Sequence, residues 1–177
     1  MLKLTRLLFL SSRQTKYLDY YERTLYNHIL SSIHRDSGGF VYFTPIHPCH
    51  YRVYSTVNHS FWCCVGTGME NHAKYGEMIY CYTPDTLWVN LFIPSQLSWK
   101  EKQVEVQQQT NFPYEPSTSL QIHTQAPIYM TVRIRKPSWI NDNFLLVRIN
   151  REKPQRIPVS GGYADIRRVW KDNDRIQ

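Results

Sequence analysis

The sequence predicts a mixed α and β fold, helical to about residue 82 and an antiparallel β-sandwich over residues 83–177. Two observations carry this reading. Apolar residues recur at three- and four-residue steps in the first part, and at every second residue after Thr83-Pro84-Asp85. With 42% hydrophobic and 14% aromatic residues, the chain has the apolar material for one or two modest cores, which excludes an intrinsically disordered segment.

The first ten residues, MLKLTRLLFL, mimic a secretion signal. Their uninterrupted apolar stretch is only Leu7 to Leu10, and Arg13 and Lys16 follow without a small-residue cleavage site, so the segment reads as the end of an amphipathic helix. No apolar run approaches the length that spans a bilayer, so no membrane partner is expected. A second helix is expected over Thr15 to Ser32, with Leu18, Tyr21, Leu25 and Ile29 on one stripe and an Asp19–Arg23 pair on the other side. Gly38 and Gly39 close the connection after it, and Pro45 and Pro48 make the segment to His59 irregular or short-stranded. A third helix is expected from Met69 to Tyr82, presenting Met69, Ala73, Gly76 and Ile79.

Beyond that point the period is two. Leu87, Val89, Leu91 and Ile93 alternate with Trp88, Asn90 and Phe92. The pattern repeats at Val104 and Val106, at Leu120 and Ile122, at Met130, Val132 and Ile134, and at Leu145, Val147 and Ile149. Pro113, Pro116, Pro127 and Pro137 punctuate the loops between these runs, where a missing backbone donor costs little. Five or more short strands of this kind indicate an antiparallel sandwich.

The formal charge of +7 raises the question of nucleic acid, but the lysines and arginines are scattered with no tract, so a solvated surface is expected and no nucleic-acid partner. Thirteen tyrosines and five tryptophans suit a carbohydrate-binding surface, in competition with the ordinary use of such rings in β-sandwich cores.

The most informative stretch is FWCCVGTGMENHAKYGEMIY, residues 61–80. A disulfide between the adjacent Cys63 and Cys64 would close a strained ring, whereas thiolates are strong zinc ligands and a cysteine of lowered pKa is a nucleophile. Gly66 and Gly68 are expected to form a sharp turn that puts both sulfurs on one side. Cys49 and Cys81 read as single buried thiols, with a disulfide between them as the alternative.

Together with GGFVYFTPIHPCHYRVYS upstream and LWVNLFIPSQLSWKEK downstream, this stretch resembles the β-L-arabinofuranosidases of glycoside hydrolase family 127 and the related family 146, over essentially the whole chain. The resemblance implies closing helices of an (α/α)6 barrel in residues 1–82 and a β-sandwich in 83–177. It also implies a retaining hydrolase for plant-derived arabinose-containing glycans, with Cys63 as nucleophile and zinc ligand and Cys64 as a second ligand. The family takes its other zinc ligands and its acid/base glutamate from segments lying before one that looks like MLKLTRLLF. The chain therefore reads as an internal fragment, truncated at both ends, with Zn²⁺ doubtful and activity absent on its own.

By position in the family, Glu22 and Tyr42 are implied as substrate-binding residues. Each has an ordinary alternative: Glu22 pairing with Arg23 or Arg35, Tyr42 as a core ring. Glu70 is expected to sit in the first turn of the third helix and favour its dipole. His47, His50, His59 and His72 flank the cysteine pair without a recognised ligand spacing and read as structural, with His50 and Arg52 expected nearest Cys63. Two classes remain, a glycosidase segment and a non-catalytic remnant or sandwich module with a structural or weak glycan-binding role. Compartment and oligomeric state are not legible in these residues.

Overall fold

A computed structural model of the chain describes every residue except Phe61, so the Phe61 half of the aromatic dipeptide before Cys63 lies outside the described residues. Helix α1 spans Leu2–Ser12 and buries Thr5 and Phe9. Arg13, left-handed at φ 57°, ends it by donating its backbone N–H to Phe9 O at 2.7 Å. Helix α2 spans Thr15–Thr24 and runs on without a break through a π-helical turn, Leu25–Ile29, and a 3₁₀ turn, Leu30–Ser32. The helical run thus covers the expected span, and Leu18, Tyr21, Leu25 and Ile29 are all buried. Asp19 does not pair with Arg23; it is held by Arg135 from the sandwich.

Residues 33–60 are irregular, tied by single bridges between Ile33 and Phe40 and between Val41 and Tyr54. Helix α3 spans Cys63–His72, which corrects the expected Met69–Tyr82 helix. Gly66 and Gly68 lie inside it and form no turn. Gly68 has a packing reason to be there: a Cβ at that position would sit 3.2 Å from the Phe40 ring. Glu70 therefore falls in the last turn of α3, 4.0 Å from Lys74, and not at the N-terminus.

The strands are β1 Tyr80–Thr83, β2 Thr86–Val89, β3 Ser95–Trp99, β4 Val104–Thr110, β5 Thr118–Thr124, β6 Ile128–Arg135, β7 Phe144–Val147, β8 Gln155–Ser160, β9 Tyr163–Trp170 and β10 Asp174–Ile176. They form a six-stranded sheet, ordered β1-β2-β6-β9-β8-β7, and a four-stranded sheet, ordered β10-β5-β4-β3. All pairings are antiparallel except β2 with β6, which is parallel and corrects the expectation of a wholly antiparallel sandwich. The reason is topological. Between β2 and β6 the chain crosses to the other sheet for β3, β4 and β5, and it returns to lie beside β2 in the same direction. The expected strand to Ile93 stops at Val89.

Two apolar clusters organise the molecule. One fills the space between the sheets and includes Leu87, Val89, Trp99, Val106, Ile122, Val132 and Trp170. The other joins α1 and α2 to the outer face of the six-stranded sheet, with Phe9, Leu18, Tyr21 and Leu25 against Ile79, Trp88, Leu91 and Tyr163. Strand β2 is consequently covered on both faces, and Leu87, Trp88 and Val89 are all buried in place of the alternation expected of a half-exposed strand. No helix among the described residues is long and apolar enough to cross a membrane.

Candidate active site

Trp62 is extended and caps α3, so Cys63 is the first helical residue. A thiolate there faces the unpaired N–H groups and positive end of the helix, which favours the ionised sulfur. Cys63 Sγ lies 3.8 Å from Cys64 Sγ and 3.9 Å from the Tyr42 hydroxyl. The Cys63 thiol is held below its ordinary range by hydrogen bonds first from Cys64 and then from Tyr42. Cys64 moves the opposite way, pushed up chiefly by the same hydrogen bond to Cys63. Tyr42 is also raised, because its proton is held on the Cys63 sulfur. Within this trio, Cys63 is the group that ionises first.

Cys63 opens onto a cavity of about 610 Å³ walled by Tyr42, Phe43, Pro45, His50, Tyr51 and Trp62. The Tyr42 ring stands edge-on to Phe43 at 4.4 Å and to Trp62 at 5.6 Å, which fixes its hydroxyl toward the sulfur. Of the residues expected around the pair, Tyr42 and His50 are brought to the cavity. Arg52 is not, because its guanidinium donates to the Ser31 carbonyl. His72 lies at the far end of α3, bonded through Nδ1 to the Tyr75 hydroxyl, and burial lowers its pKa. Cys49 is exposed, which corrects the expectation of a buried thiol, and Cys81 is half-buried and accepts from Asn90 Nδ2 at 3.4 Å; both are free.

Glu22 does not line this cavity. It is 5% exposed, and its Oε1 accepts from Arg135 Nη2 at 2.5 Å, so its partner is neither Arg23 nor Arg35. Sequence reasoning missed the aromatic walls Phe43, Tyr51 and Trp62. The only signal for them was the density of rings in loops, which does not say which ring faces which cavity.

Residues 1–77 match the model of the β-L-arabinofuranosidase GH127 catalytic domain, and residues 86–177 match that of the GH127 middle domain. The chain belongs to glycoside hydrolase family 127. Among solved structures, a family 127 β-L-arabinofuranosidase from Geobacillus stearothermophilus T6 is 28% identical with a TM-score of 0.80, over 97% of this chain and 29% of its own. A family 127 β-arabinofuranosidase is 25% identical with a TM-score of 0.76, over 99% of this chain and 30% of its own. A third, described as a glycoside hydrolase, shares the fold at 20% identity and a TM-score of 0.80, over 99% of this chain and 30% of its own. This family 127 chain thus spans about 30% of the length of the structures it resembles. No curated protein matches it.

The cysteine pair fits half of a zinc site. Two thiolates at Zn–S distances of about 2.3 Å in a tetrahedral shell stand about 3.8 Å apart, and the two sulfurs are 3.8 Å apart. Among the described residues, no third cysteine, histidine, aspartate or glutamate joins them in a cluster able to hold a metal.

Proposed function

We propose that this family 127 chain carries the nucleophile half of a retaining β-L-arabinofuranosidase that acts on β-linked L-arabinofuranosides of plant-derived glycans. The observation that supports it best is Cys63 at a helix N-terminus, exposed along a ring-walled cavity and with its thiol held below the ordinary range. In this reading residues 1–82 are closing helices of an (α/α)6 barrel, and Cys63 and Cys64 are two of the ligands of a zinc ion. Bound by both sulfurs, zinc would keep Cys63 ionised at neutral pH and temper its basicity.

Cys63 Sγ attacks the anomeric carbon as the glycosidic C–O bond breaks, and the departing oxygen takes a proton from a general acid. Water then attacks the same carbon while the now deprotonated general acid takes its proton as general base, the C–S bond breaks, and the sulfur leaves as thiolate with its electron pair. Two inversions give net retention. Tyr42 orients the sulfur through its hydroxyl, and the Trp62 and Tyr51 rings offer flat apolar faces to the C–H side of the sugar. We assign Tyr42 to the sugar site and Glu22 to the scaffold, since a buried carboxylate already held by an arginine has little freedom to follow a substrate.

The test is a complete family 127 enzyme containing this segment, incubated with an aryl β-L-arabinofuranoside. It is expected to release L-arabinose with retention, to form a pentosyl adduct on the Cys63 peptide, and to lose on the order of 10⁴-fold or more in kcat with Cys63→Ala. Unchanged turnover in that variant would remove the proposed nucleophile.

A further inference from the structure

Cys63 and Cys64 are both exposed and both free, with their sulfurs 3.8 Å apart. That gap decides between two ways of joining them. A disulfide would have to close it to about 2.05 Å inside the first turn of α3, at the strain of a ring through a single peptide bond. One atom bonded to both sulfurs, at bonds near the zinc–sulfur length of about 2.3 Å, leaves them close to where they stand. Such an atom must be thiophilic, since both donors are soft sulfurs. It must also need no more than two ligands from the protein, because among the described residues no third cysteine, histidine, aspartate or glutamate joins the pair. Zinc, with four ligands, is left two short by these residues. Trivalent arsenic is satisfied by them, with two bonds to sulfur and a third to a group that it carries itself.

That third group has a place to go. Cys63 lines the cavity of about 610 Å³, and Tyr42, Phe43, Tyr51 and Trp62 give it ring walls. No carboxylate, lysine or arginine lines it, so it favours an uncharged, flat substituent. An aryl group on arsenic meets those walls ring against ring.

We propose that Cys63 and Cys64 form a chelating site for aryl-substituted trivalent arsenicals, with arsenic bridging the two sulfurs and the aryl ring seated in the cavity. With an arylarsine oxide, two As–S bonds form in place of the bonding between arsenic and oxygen, and the two thiol protons leave with that oxygen as water. Arsenic stays trivalent, and nothing is oxidised or reduced. The site rests on the paired thiols and not on the glycosidase reading, although a bridged Cys63 has no free thiolate left to attack a sugar.

The probe is phenylarsine oxide, added to the reduced, metal-free 177-residue chain. Intact mass is expected to show one phenylarsenic group per chain, with two of the four thiols, Cys63 and Cys64, protected from iodoacetamide. The adduct should survive excess mercaptoethanol and be released by ethanedithiol. Cys63→Ser and Cys64→Ser, conservative changes at exposed positions, should each leave an adduct that mercaptoethanol strips, while Cys49→Ser changes nothing. Trp62→Ala should weaken phenylarsine oxide binding roughly two- to tenfold and leave inorganic arsenite unaffected. Tyr51→Ala, at an exposed loop residue, reads the same ring contact where Trp62→Ala disturbs the cap of α3. Protection of Cys49, or a Cys64→Ser adduct that resists mercaptoethanol, would overturn the chelate. Equal responses of phenylarsine oxide and arsenite to both ring variants would remove the aryl group from the cavity. Failure of the nucleophile reading shows separately, in the arabinofuranoside assay, which contains no arsenical.

Discussion

Arg135 Nη2 donates to Glu22 Oε1 at 2.5 Å across 113 positions of sequence, while its Nη1 reaches Asp19 Oδ1 at 2.7 Å. The guanidinium is fully buried and its Nε adds a bond to the Asn90 carbonyl at 2.6 Å, so one side chain of β6 holds two carboxylates of α2 and the end of β2. Asp19 passes the connection on by accepting from the Ser138 N–H at 3.1 Å.

Removing that guanidinium leaves two carboxylates without their cation. Arg135→Met is expected to cost about 3–5 kcal/mol, as for a broken buried pair. Lys74→Met, which removes the partner of the largely exposed Glu70, is expected to cost below about 0.5 kcal/mol. Urea unfolding of the two variants compares them directly, and equal midpoints would show that the clamp contributes nothing.

The thiols should separate by pH. Cys63 is held low and Cys64 high, so alkylation at Cys63 begins at the lower pH and Cys64 follows as the pH rises. Tyr42→Phe deletes one donor to the Cys63 sulfur, which moves its alkylation profile upward in pH. Peptide-resolved labelling with iodoacetamide across a pH series measures both. A profile indifferent to Tyr42→Phe would refute the hydrogen bond.

With two ligands in place, zinc should bind the 177-residue chain weakly, and chelator should hardly shift its melting curve. No carboxylate among the described residues lines the Cys63 cavity, so turnover of an aryl β-L-arabinofuranoside by these 177 residues is expected to lack general-acid assistance, worth ~10²–10⁴-fold. Stoichiometric zinc surviving dialysis would mean that other residues of this chain, His50 first, complete the site.

Gly162 sits at φ +84° in the turn before β9, where a Cβ would meet Thr15 of α2 at 2.5 Å. Gly161, at φ +59°, has open space around it. Both substitutions to alanine strain the backbone by about 1–2 kcal/mol, and overpacking against Thr15 should add about 1–3 kcal/mol for Gly162→Ala alone. Thermal melts of the two variants measure the difference.

The residues that repeat at short range were legible in sequence. The Leu18, Tyr21, Leu25, Ile29 stripe fixed the second helix, and Val104 with Val106 or Met130 with Val132 marked inner strands. The helix expected to end at Tyr82 overlaps β1, whose β character comes from pairing with β2, which local spacing does not contain. The start of α3 at Cys63 escapes local reading for a related reason: glycines signal a turn, and the close approach of the Phe40 ring that Gly68 permits inside the helix is a long-range contact. At the site, the two cysteines were visible as a pair, but Trp62, Tyr51 and Phe43 become walls only once the loop folds back. The Arg135 clamp was invisible from either end, since neither partner lies within a helical turn of the other.

The second apolar cluster places Phe9 and Leu18 against Trp88, Leu91 and Tyr163, across the interval between the two family-matched segments. A border drawn along the chain there is not a border in the packing. Exchanging either segment for that of a distant relative would bring together surfaces shaped for other partners. Recombination within the family should therefore succeed only where helix and sheet residues travel as one block, and the two segments are expected to melt in a single cooperative transition.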